Sequence, residues 1–259
     1  MHYGKAVIKV GPRIIGGYFA WMRKYAKHPE KYPFKDRYNK VRKLLLALDK
    51  SFDVKYIVEG LDKLPKETYC LISNHLSAYD PLVFINILEE PCTFVAKKEL
   101  ENKPFAGKII KCIDVLFLDR EDLKQSLRVM MKVEKELKER QKNWIIFPEG
   151  TRNKDPLKLV KDFHHGTFRP ATKAEVPIVP VALYGTFRVL KRKPIYKAYP
   201  IHVKFLDPIY PSEYKSMTTQ EIASLCQEKI EQALSYELRK KDLVEMLKVD
   251  KDYKFNKIY

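Results

Sequence analysis

From residue 52 onward, short apolar runs alternate with longer segments in which apolar residues recur at helical spacing. Short runs bounded by polar or turn-forming residues are typical of buried strands. Seven strands are predicted, at 54–58, 69–73, 93–96, 115–118, 143–147, 178–183 and 201–205. Helices are predicted to begin near Pro81, Pro104, Asp122 and Thr167, and a last helix to span 218–238. This alternation predicts an α/β fold with a mixed, largely parallel sheet flanked by helices.

Two segments carry more detailed expectations. The clearest helix starts at Leu123, and we expect its apolar stripe to pack in the core. The stripe consists of Leu127, Met130, Met131, Val133 and Leu137. The apolar run 176–181 contains Pro177 and Pro180, and because proline donates no ladder hydrogen bond we expect these prolines to mark a sheet edge or a tunnel wall.

The first 24 residues mix aliphatic and aromatic side chains with Lys and Arg, which is typical of a membrane-interface anchor. The alternative is a helix packed on the domain through the same apolar residues, interrupted at Gly11-Pro12 and Gly16-Gly17. A second amphipathic helix, predicted from 36 to 48, belongs either to the anchor or to the core. We therefore divide the chain into an N-terminal helical, membrane-interface segment (1–50), an α/β domain (51–240) and a charged C-terminal tail (241–259).

Composition narrows the class of protein. The chain has 259 residues, 45% of them hydrophobic, which is enough for one large domain with a sizeable core. Its 50 Lys and Arg against 33 Asp and Glu give a net charge of +17 and favour a polyanionic partner: nucleic acid, an anionic membrane or a phosphorylated substrate. No zinc-finger spacing, RNP-like motif or long basic block supports nucleic acid.

Targeting and cysteine signals are weak. No apolar run reaches the roughly 20 residues that a membrane-spanning helix needs, and the N-terminus lacks the features of a signal peptide. The four cysteines have no C-x-x-C spacing, so we expect small buried hydrophobes in a reducing compartment. These signals predict a soluble or peripheral protein of the cytoplasm.

The most informative polar feature is the pair His75 and Asp80, between a predicted strand and a predicted helix. Histidine takes protons near neutral pH, and a carboxylate on its far ring nitrogen fixes the tautomer and stabilises the imidazolium. No Gly-x-Ser-x-Gly motif or protease-like cysteine supplies a nucleophile, so the substrate would bring the hydroxyl. The alternative is a hydrogen-bonded structural histidine, with Asp80 acting only as the N-cap before Pro81. The pair alone does not distinguish a catalytic base from a structural histidine.

Two arginines, Arg120 and Arg152, follow predicted strands, and their planar guanidinium groups can bind phosphate with two donors each. Gly150 and Thr151 lie between these arginines in the sequence. Gly150 would let a phosphate approach the backbone closely, and Thr151 would donate a hydrogen bond to it from its amide or hydroxyl. Glu149 would hold an arginine or bind a substrate hydroxyl. The alternative for each arginine is a surface ion pair.

Two further basic stretches, one containing Lys97 and the other Lys161, can extend such an anion site. The adjacent His164 and His165 lack matched distant ligands, so we expect no metal site.

Four blocks together are specific: Asn74-His75-x4-Asp80, Phe117 to Arg120, Phe147 to Arg152, and Val176 to Val181. In this order they resemble the glycerolipid acyltransferases, a family that includes enzymes acting on 1-acylglycerol-3-phosphate. The resemblance covers residues 61–185. Two departures are Cys112, near a position where the family often has glycine, and His164, where a lysine often follows the equivalent of Phe163. The second casts doubt on one cationic contact, which Lys161 or a protonated His165 would replace.

The resemblance implies that His75, oriented by Asp80, removes the proton from the free hydroxyl of 1-acylglycerol-3-phosphate. The oxygen then attacks the thioester of an acyl-CoA or acyl-carrier protein, giving phosphatidic acid without a metal or other cofactor. The residues implied in holding the substrate are Arg120, Glu149, Gly150, Thr151, Arg152, Lys97 and Lys161.

The same resemblance implies a peripheral or monotopic enzyme of phospholipid biosynthesis on the cytoplasmic face of a membrane. Its partners would be an anionic membrane surface, lysophosphatidic acid and the acyl donor, with no nucleic acid and an undetermined oligomeric state. Two alternatives stay open: the same chemistry on glycerol 3-phosphate or another lysophospholipid, and a non-catalytic peripheral protein that binds anionic lipid.

Overall fold

The structure is a computed structural model that describes residues 2–153, 159–189 and 198–249. Its strands are β1 (Val54–Glu59), β2 (Cys70–Ser73), β3 (Cys92–Lys97), β4 (Leu116–Leu118), β5 (Asn143–Ile146), β6 (Ile178–Tyr184) and β7 (Tyr199–Phe205). Its α-helices are α1 (His2–Gly17), α2 (Arg23–Lys27), α3 (Phe34–Phe52), α4 (Asp80–Ile87), α5 (Ala106–Lys111), α6 (Leu123–Lys138), α7 (Arg169–Lys173), α8 (Pro211–Tyr214), α9 (Thr219–Ala233) and α10 (Tyr236–Val249).

The seven strands form one sheet in the order β1-β7-β6-β2-β5-β3-β4. Every neighbouring pair is parallel except β6 and β7, which are antiparallel. The predicted mixed, largely parallel α/β fold is confirmed, and each predicted strand is present. The carboxyl ends of the parallel strands β2, β5, β3 and β4 meet at one edge, where α/β proteins place their sites.

Helices cover both faces of the sheet. On one face α3, α4 and α5 pack with residues such as Tyr38, Phe84 and Ile110, and on the other α6 and α9 pack with Val133 and Ile230. The connections explain this split. The chain steps outward from β3 to β4 through α5 and back from β4 to β5 through α6, so right-handed crossovers place the two helices on opposite faces.

The N-terminal helices are partly core. The glycines and proline expected to interrupt α1 do not end it before Gly17, where a five-residue π-helical segment, Tyr18–Met22, leads into α2. Met22 and Tyr25 are buried, and α3 buries Tyr38, Val41 and Leu45, so the second amphipathic helix belongs to the core. No helix of the described residues is long and apolar enough to cross a membrane.

One expectation for α6 is wrong. Val133 and Leu137 are buried as predicted, but Leu127 is 54% exposed and Met131 is 59% exposed. The helix flanks the edge strand β4, and its apolar arc is wider than the face that packs on the sheet. Helical spacing reports an apolar side but not how much of that side another layer covers.

The proline expectation for β6 also needs correction. Pro180 lies in a central strand, paired on one side with Ile72 of β2. Its carbonyl accepts a hydrogen bond from the Leu206 amide at 2.9 Å, on the flank where β7 has already ended at Phe205. The missing N–H of Pro180 faces the same flank, so no ladder bond to β2 is lost.

The C-terminal segment differs from expectation in two ways. The predicted helix 218–238 is two helices, α9 and α10, and the expected start of a charged tail at 241 falls inside α10. Asp242 is fully buried and forms an ion pair with Arg188, with Nη1 and Oδ1 2.8 Å apart. The charged composition of this segment therefore predicted a tail where the structure has a packed helix that extends to residue 249. Residues 250–259 lie outside the described residues.

The four cysteines are free thiols and all are buried, as expected from their spacing.

Candidate active site

The loop after β2 brings His75 against Asp80 at the start of α4. His75 Nδ1 lies 2.7 Å from Asp80 Oδ2. The Asp80 side chain is fully buried, whereas that of His75 is 17% exposed. Because Nδ1 is occupied, Nε2 is the ring nitrogen left to exchange a proton with a ligand. The geometry is that of an imidazole base held by a carboxylate.

Asp80 holds the loop as well as the imidazole. Its Oδ2 also accepts the amides of Leu76 at 2.6 Å and Ser77 at 2.9 Å. The expected N-cap position is occupied by Tyr79 instead, and Asp80 is the first residue of α4, so its carboxylate binds the preceding loop rather than the helix. The same oxygen therefore serves both the backbone and the imidazole ring.

Asn74 fixes the start of this loop to β6. Its side-chain Nδ2 donates to the Leu183 carbonyl at 3.0 Å, and the Leu183 amide donates to Asn74 Oδ1 at 2.8 Å. Neither contact of Asn74 was predicted from the sequence. A polar residue at the end of a largely apolar strand was the available signal, since a buried side chain of this kind needs partners.

The loop after β5, residues 147–153, forms the other wall of the site. The Phe147 ring stacks on the His75 ring with centroids 4.4 Å apart and planes 29° apart. The Asn153 amide donates to the His75 carbonyl at 2.6 Å. Both the ring and the backbone of His75 are therefore fixed by this loop.

Glu149, a buried residue of the same loop, also binds the backbone of His75. It is 2% exposed, and its Oε1 accepts the His75 amide at 2.8 Å. Burial raises the pKa of Glu149 to about 7, with the amides of His75 and Lys161 lowering it and the charge of Asp80 raising it. The structure thus places Glu149 on the backbone of the loop rather than on an arginine.

A buried carboxylate supports α4 from below. Asp49 of α3 accepts hydrogen bonds from Tyr79, Tyr56 and Asn86. Burial raises the pKa of Asp49 to about 6, opposed by the hydrogen bonds of Tyr56 and Asn86. Tyr79 precedes Asp80, so this cluster ties the loop to α3, and nothing in the local sequence pattern connected Asp49 to the site.

The predicted basic residues follow the strand order. Lys97 ends β3, Arg120 follows β4, and Arg152 lies in the loop after β5. Because neighbouring strands are about 4.8 Å apart, the end of β4 lies about 14 Å from that of β2. All three side chains are exposed, and neither arginine forms an ion pair with a described residue. Lys97 itself contacts Glu99.

The remaining predicted residues are Gly150 and Thr151 in the turn after Glu149, and Lys161, whose backbone amide donates to the Glu149 carboxylate. Gly150 has φ +64°, and a Cβ there would lie 3.2 Å from Cδ2 of His164, so the His164 ring packs on the glycine. Thr151 is exposed and Lys161 is partly exposed.

No group of three or more metal-ligating side chains occurs within residues 2–153, 159–189 and 198–249.

Comparisons with known proteins agree on the class. The family model described as "Acyltransferase" matches residues 55–184. A probable 1-acyl-sn-glycerol-3-phosphate acyltransferase of Mycoplasma pneumoniae is 30% identical over 215 residues, which cover 78% of this chain and 79% of that protein. The chain therefore belongs to the acyltransferase family, and it is an acyltransferase.

Other relatives bear the same name. The 1-acyl-sn-glycerol-3-phosphate acyltransferase of Escherichia coli is 31% identical over 63% of this chain and 66% of that protein. The Saccharomyces cerevisiae enzyme of that name is 33% identical over 59% of this chain, and the match spans about half of its own length, 48%. The crystal structure of the Thermotoga maritima LPA acyltransferase, PlsC, superposes with a TM-score of 0.67 at 22% identity, covering 92% of this chain and 93% of that one, which shows the shared fold.

Proposed function

We propose that the chain transfers a fatty acyl group from an acyl thioester to the free hydroxyl of 1-acylglycerol-3-phosphate, producing phosphatidic acid. The observation that carries this proposal is the contact between His75 Nδ1 and Asp80 Oδ2, which leaves Nε2 available at the strand-end edge. The acceptor follows from the relatives named 1-acyl-sn-glycerol-3-phosphate acyltransferase.

The reaction proceeds by direct attack. His75 Nε2 takes the proton of the acceptor hydroxyl while the hydroxyl oxygen bonds to the thioester carbonyl carbon. The tetrahedral intermediate then breaks its carbon–sulfur bond, and the departing thiolate regains the proton from His75. Asp80 stays charged and stabilises the imidazolium between these two steps. All four thiols are buried, so none is placed to form an acyl-enzyme.

The phosphate of the acceptor is held by Arg120 and Arg152, which are exposed and form no ion pair with a described residue. Lys97, Lys161 and the Gly150-Thr151 turn add charge and backbone donors around them. Arginine matches a phosphate with two parallel donors, so the pair also orients the glycerol hydroxyl toward His75. Glu149 acts through the backbone of His75 and is a positioning residue.

The acyl donor is an acyl-CoA or an acyl-carrier protein. Both present the same thioester, whose thiolate is a good leaving group, so the chemistry needs neither metal nor redox cofactor. The enzyme works at the cytoplasmic face of a membrane as a peripheral or monotopic protein. In support, the net charge is +17, and Ile15 and Phe19 of the N-terminal helices are 53% and 65% exposed.

The test is thiol release by the purified protein, given oleoyl-CoA or an acyl-carrier donor with one acceptor at a time. We expect rapid release with lysophosphatidic acid and slow release with monoacylglycerol, which lacks the phosphate. A faster reaction with glycerol 3-phosphate or lysophosphatidylcholine would overturn the acceptor, and no acceptor-dependent release with any of the four would overturn the proposed function.

A further inference from the structure

An apolar ridge lies along the exposed side of α6. It consists of Leu123, Leu127 and Met131, which are 83%, 54% and 59% exposed. Their spacing of four residues aligns them on one side of the helix. The buried residues Val133 and Leu137 anchor the adjacent side of the helix to the core. A contiguous exposed apolar row of this kind marks an interaction surface, unlike single exposed hydrophobes.

A row of cations follows the ridge on the side away from the core. It consists of Lys124, Arg128, Lys132 and Lys135, all exposed. Within the described ranges, Lys124, Arg128 and Lys132 form no ion pair, and Lys135 contacts only Glu139, at 3.8 Å. An apolar row beside a cationic row is complementary to a surface that has anionic groups above an apolar interior.

The ridge begins near the carboxyl ends of the strands, the edge of the sheet at which the candidate site lies. Gln125 Nε2 donates to the Phe117 carbonyl at 2.7 Å, and Ser126 Oγ donates to the Asp119 carbonyl at 2.7 Å. These bonds fix the first turn of α6 to the end of β4. Later turns recede from this edge, and there Glu134 and Lys138 replace the apolar side chains. The ridge is therefore confined to the turns nearest the site.

We propose that this face of α6 docks on an anionic phospholipid bilayer. Leu123, Leu127 and Met131 insert below the headgroups, the cations bind the headgroup phosphates, and the strand-end edge faces the membrane. The ridge is convex, which suits a fluid lipid surface, whereas a folded protein partner needs matched shape. The inference rests on the proposed function, because the acceptor is then a lipid of that bilayer.

A local probe tests the contact independently of any other anchor. All four native cysteines are buried, so Met131→Cys in the full chain gives one accessible thiol for an environment-sensitive fluorophore. With vesicles of phosphatidylcholine and phosphatidylglycerol, we expect a blue shift and quenching by acyl-chain nitroxides. Val244→Cys on α10, a site 50% exposed, is the matched control and should show neither. Bound protein without a shift at 131 would overturn the proposal.

Substitutions measure the energetic contribution. Leu127→Gln with Met131→Gln should lower the vesicle partition coefficient roughly 10- to 100-fold, because two apolar side chains lose their lipid environment. Val244→Gln with Leu247→Gln, also exposed, should leave it unchanged. Equal binding by the ridge variant and the wild type would contradict the proposal. All four positions are exposed, and circular dichroism checks that each variant is folded.

The cationic row has its own matched pair of variants. Arg128→Gln with Lys132→Gln should weaken binding about fivefold per charge at low salt, and high salt should abolish the difference. Lys173→Gln with Lys215→Gln removes the same charge from exposed sites elsewhere and should have a smaller effect. Equal losses in both variants would show a diffuse charge effect and contradict a docking face.

The result is separable from the proposed function, because vesicle binding is measured without donor or acceptor. Absence of acyl transfer in the wild type would remove the proposed function and leave the binding result readable. If the ridge variant kept vesicle binding and lost turnover only with an acyl-carrier donor, the face would dock an acidic protein, which overturns the membrane proposal.

Discussion

At the scale of single residues, the site is a histidine held from several directions. Asp80 fixes the ring, Phe147 stacks on it, and Glu149 and Asn153 bind its backbone amide and carbonyl. The carboxylates differ in their contacts, since Asp80 binds the imidazole and Glu149 binds the peptide. This difference predicts distinct consequences of replacing each.

Asp80→Asn tests the orientation of the base. The amide can still accept the Leu76 and Ser77 amide protons through its oxygen, but it no longer stabilises an imidazolium. We expect kcat to fall on the order of 10² to 10⁴-fold. KM for lysophosphatidic acid should change little, and steady-state thiol release measures both. A kcat equal to that of the wild type would show that Asp80 only supports the loop.

Glu149→Gln tests the buried carboxyl through the pH dependence of stability. Because burial raises its pKa from 4.5 to about 7, the folded state binds this proton more tightly than the unfolded state. Its contribution to the free energy of unfolding is complete below pH 4.5 and is lost as pH rises through 7. Urea denaturation should show that the free energy of unfolding of the wild type falls by roughly 1 to 3 kcal/mol more than that of Glu149→Gln across that range. Parallel pH profiles for the two proteins would contradict this.

Glu149→Ala complements this variant, because glutamine can still accept the His75 amide proton and alanine cannot. We expect Glu149→Ala to lower kcat by about tenfold or more, since a loosened loop misplaces the base. Glu149→Gln should retain most of the activity. The same loss in both variants would point to direct contact between the carboxylate and the substrate.

At the scale of secondary-structure elements, the strands were the most predictable part. The central strands β2, β5 and β6 are largely apolar runs buried in the sheet, so their positions follow from the sequence alone. The contact between His75 and Asp80 could also be predicted, because the two residues are only five positions apart in the sequence. Contacts between elements distant in the sequence could not be predicted. Asn74 binds Leu183, 109 residues away, and Glu149 binds His75, 74 residues away. Spacing along the chain carries no information about such partners.

The packing of α10 also depends on a contact between distant residues that the sequence did not predict, and this contact can be tested. Asp242→Ala removes the buried carboxylate that faces Arg188, which is itself 2% exposed. Removing one member of a buried ion pair typically costs about 3–5 kcal/mol, and urea denaturation should show that loss. Lys241→Ala is the neighbouring control, with an exposed contact to Glu59 at 3.8 Å, and should change stability by less than about 1 kcal/mol. Equal effects would refute a structural role for the buried pair.

At the scale of the whole molecule, the proposed membrane contact combines α6 with the N-terminal helices. Deleting everything before residue 52 would remove core residues of α2 and α3 and would not test an anchor. Ile15→Asn with Phe19→Asn changes only exposed side chains. We expect weaker co-sedimentation with anionic vesicles and an unchanged melting temperature. Unaltered sedimentation would exclude these two residues from the interface.

We propose above that His75 is the base that activates a lipid hydroxyl. The most direct test is thiol release from oleoyl-CoA, or from the acyl-carrier donor if that one is used, with lysophosphatidic acid as acceptor. His75→Ala is compared with the wild type after both are shown to be folded and to bind the acceptor. We expect kcat of the variant to be lower by a factor on the order of 10² to 10⁴. Equal rates of thiol release would contradict it.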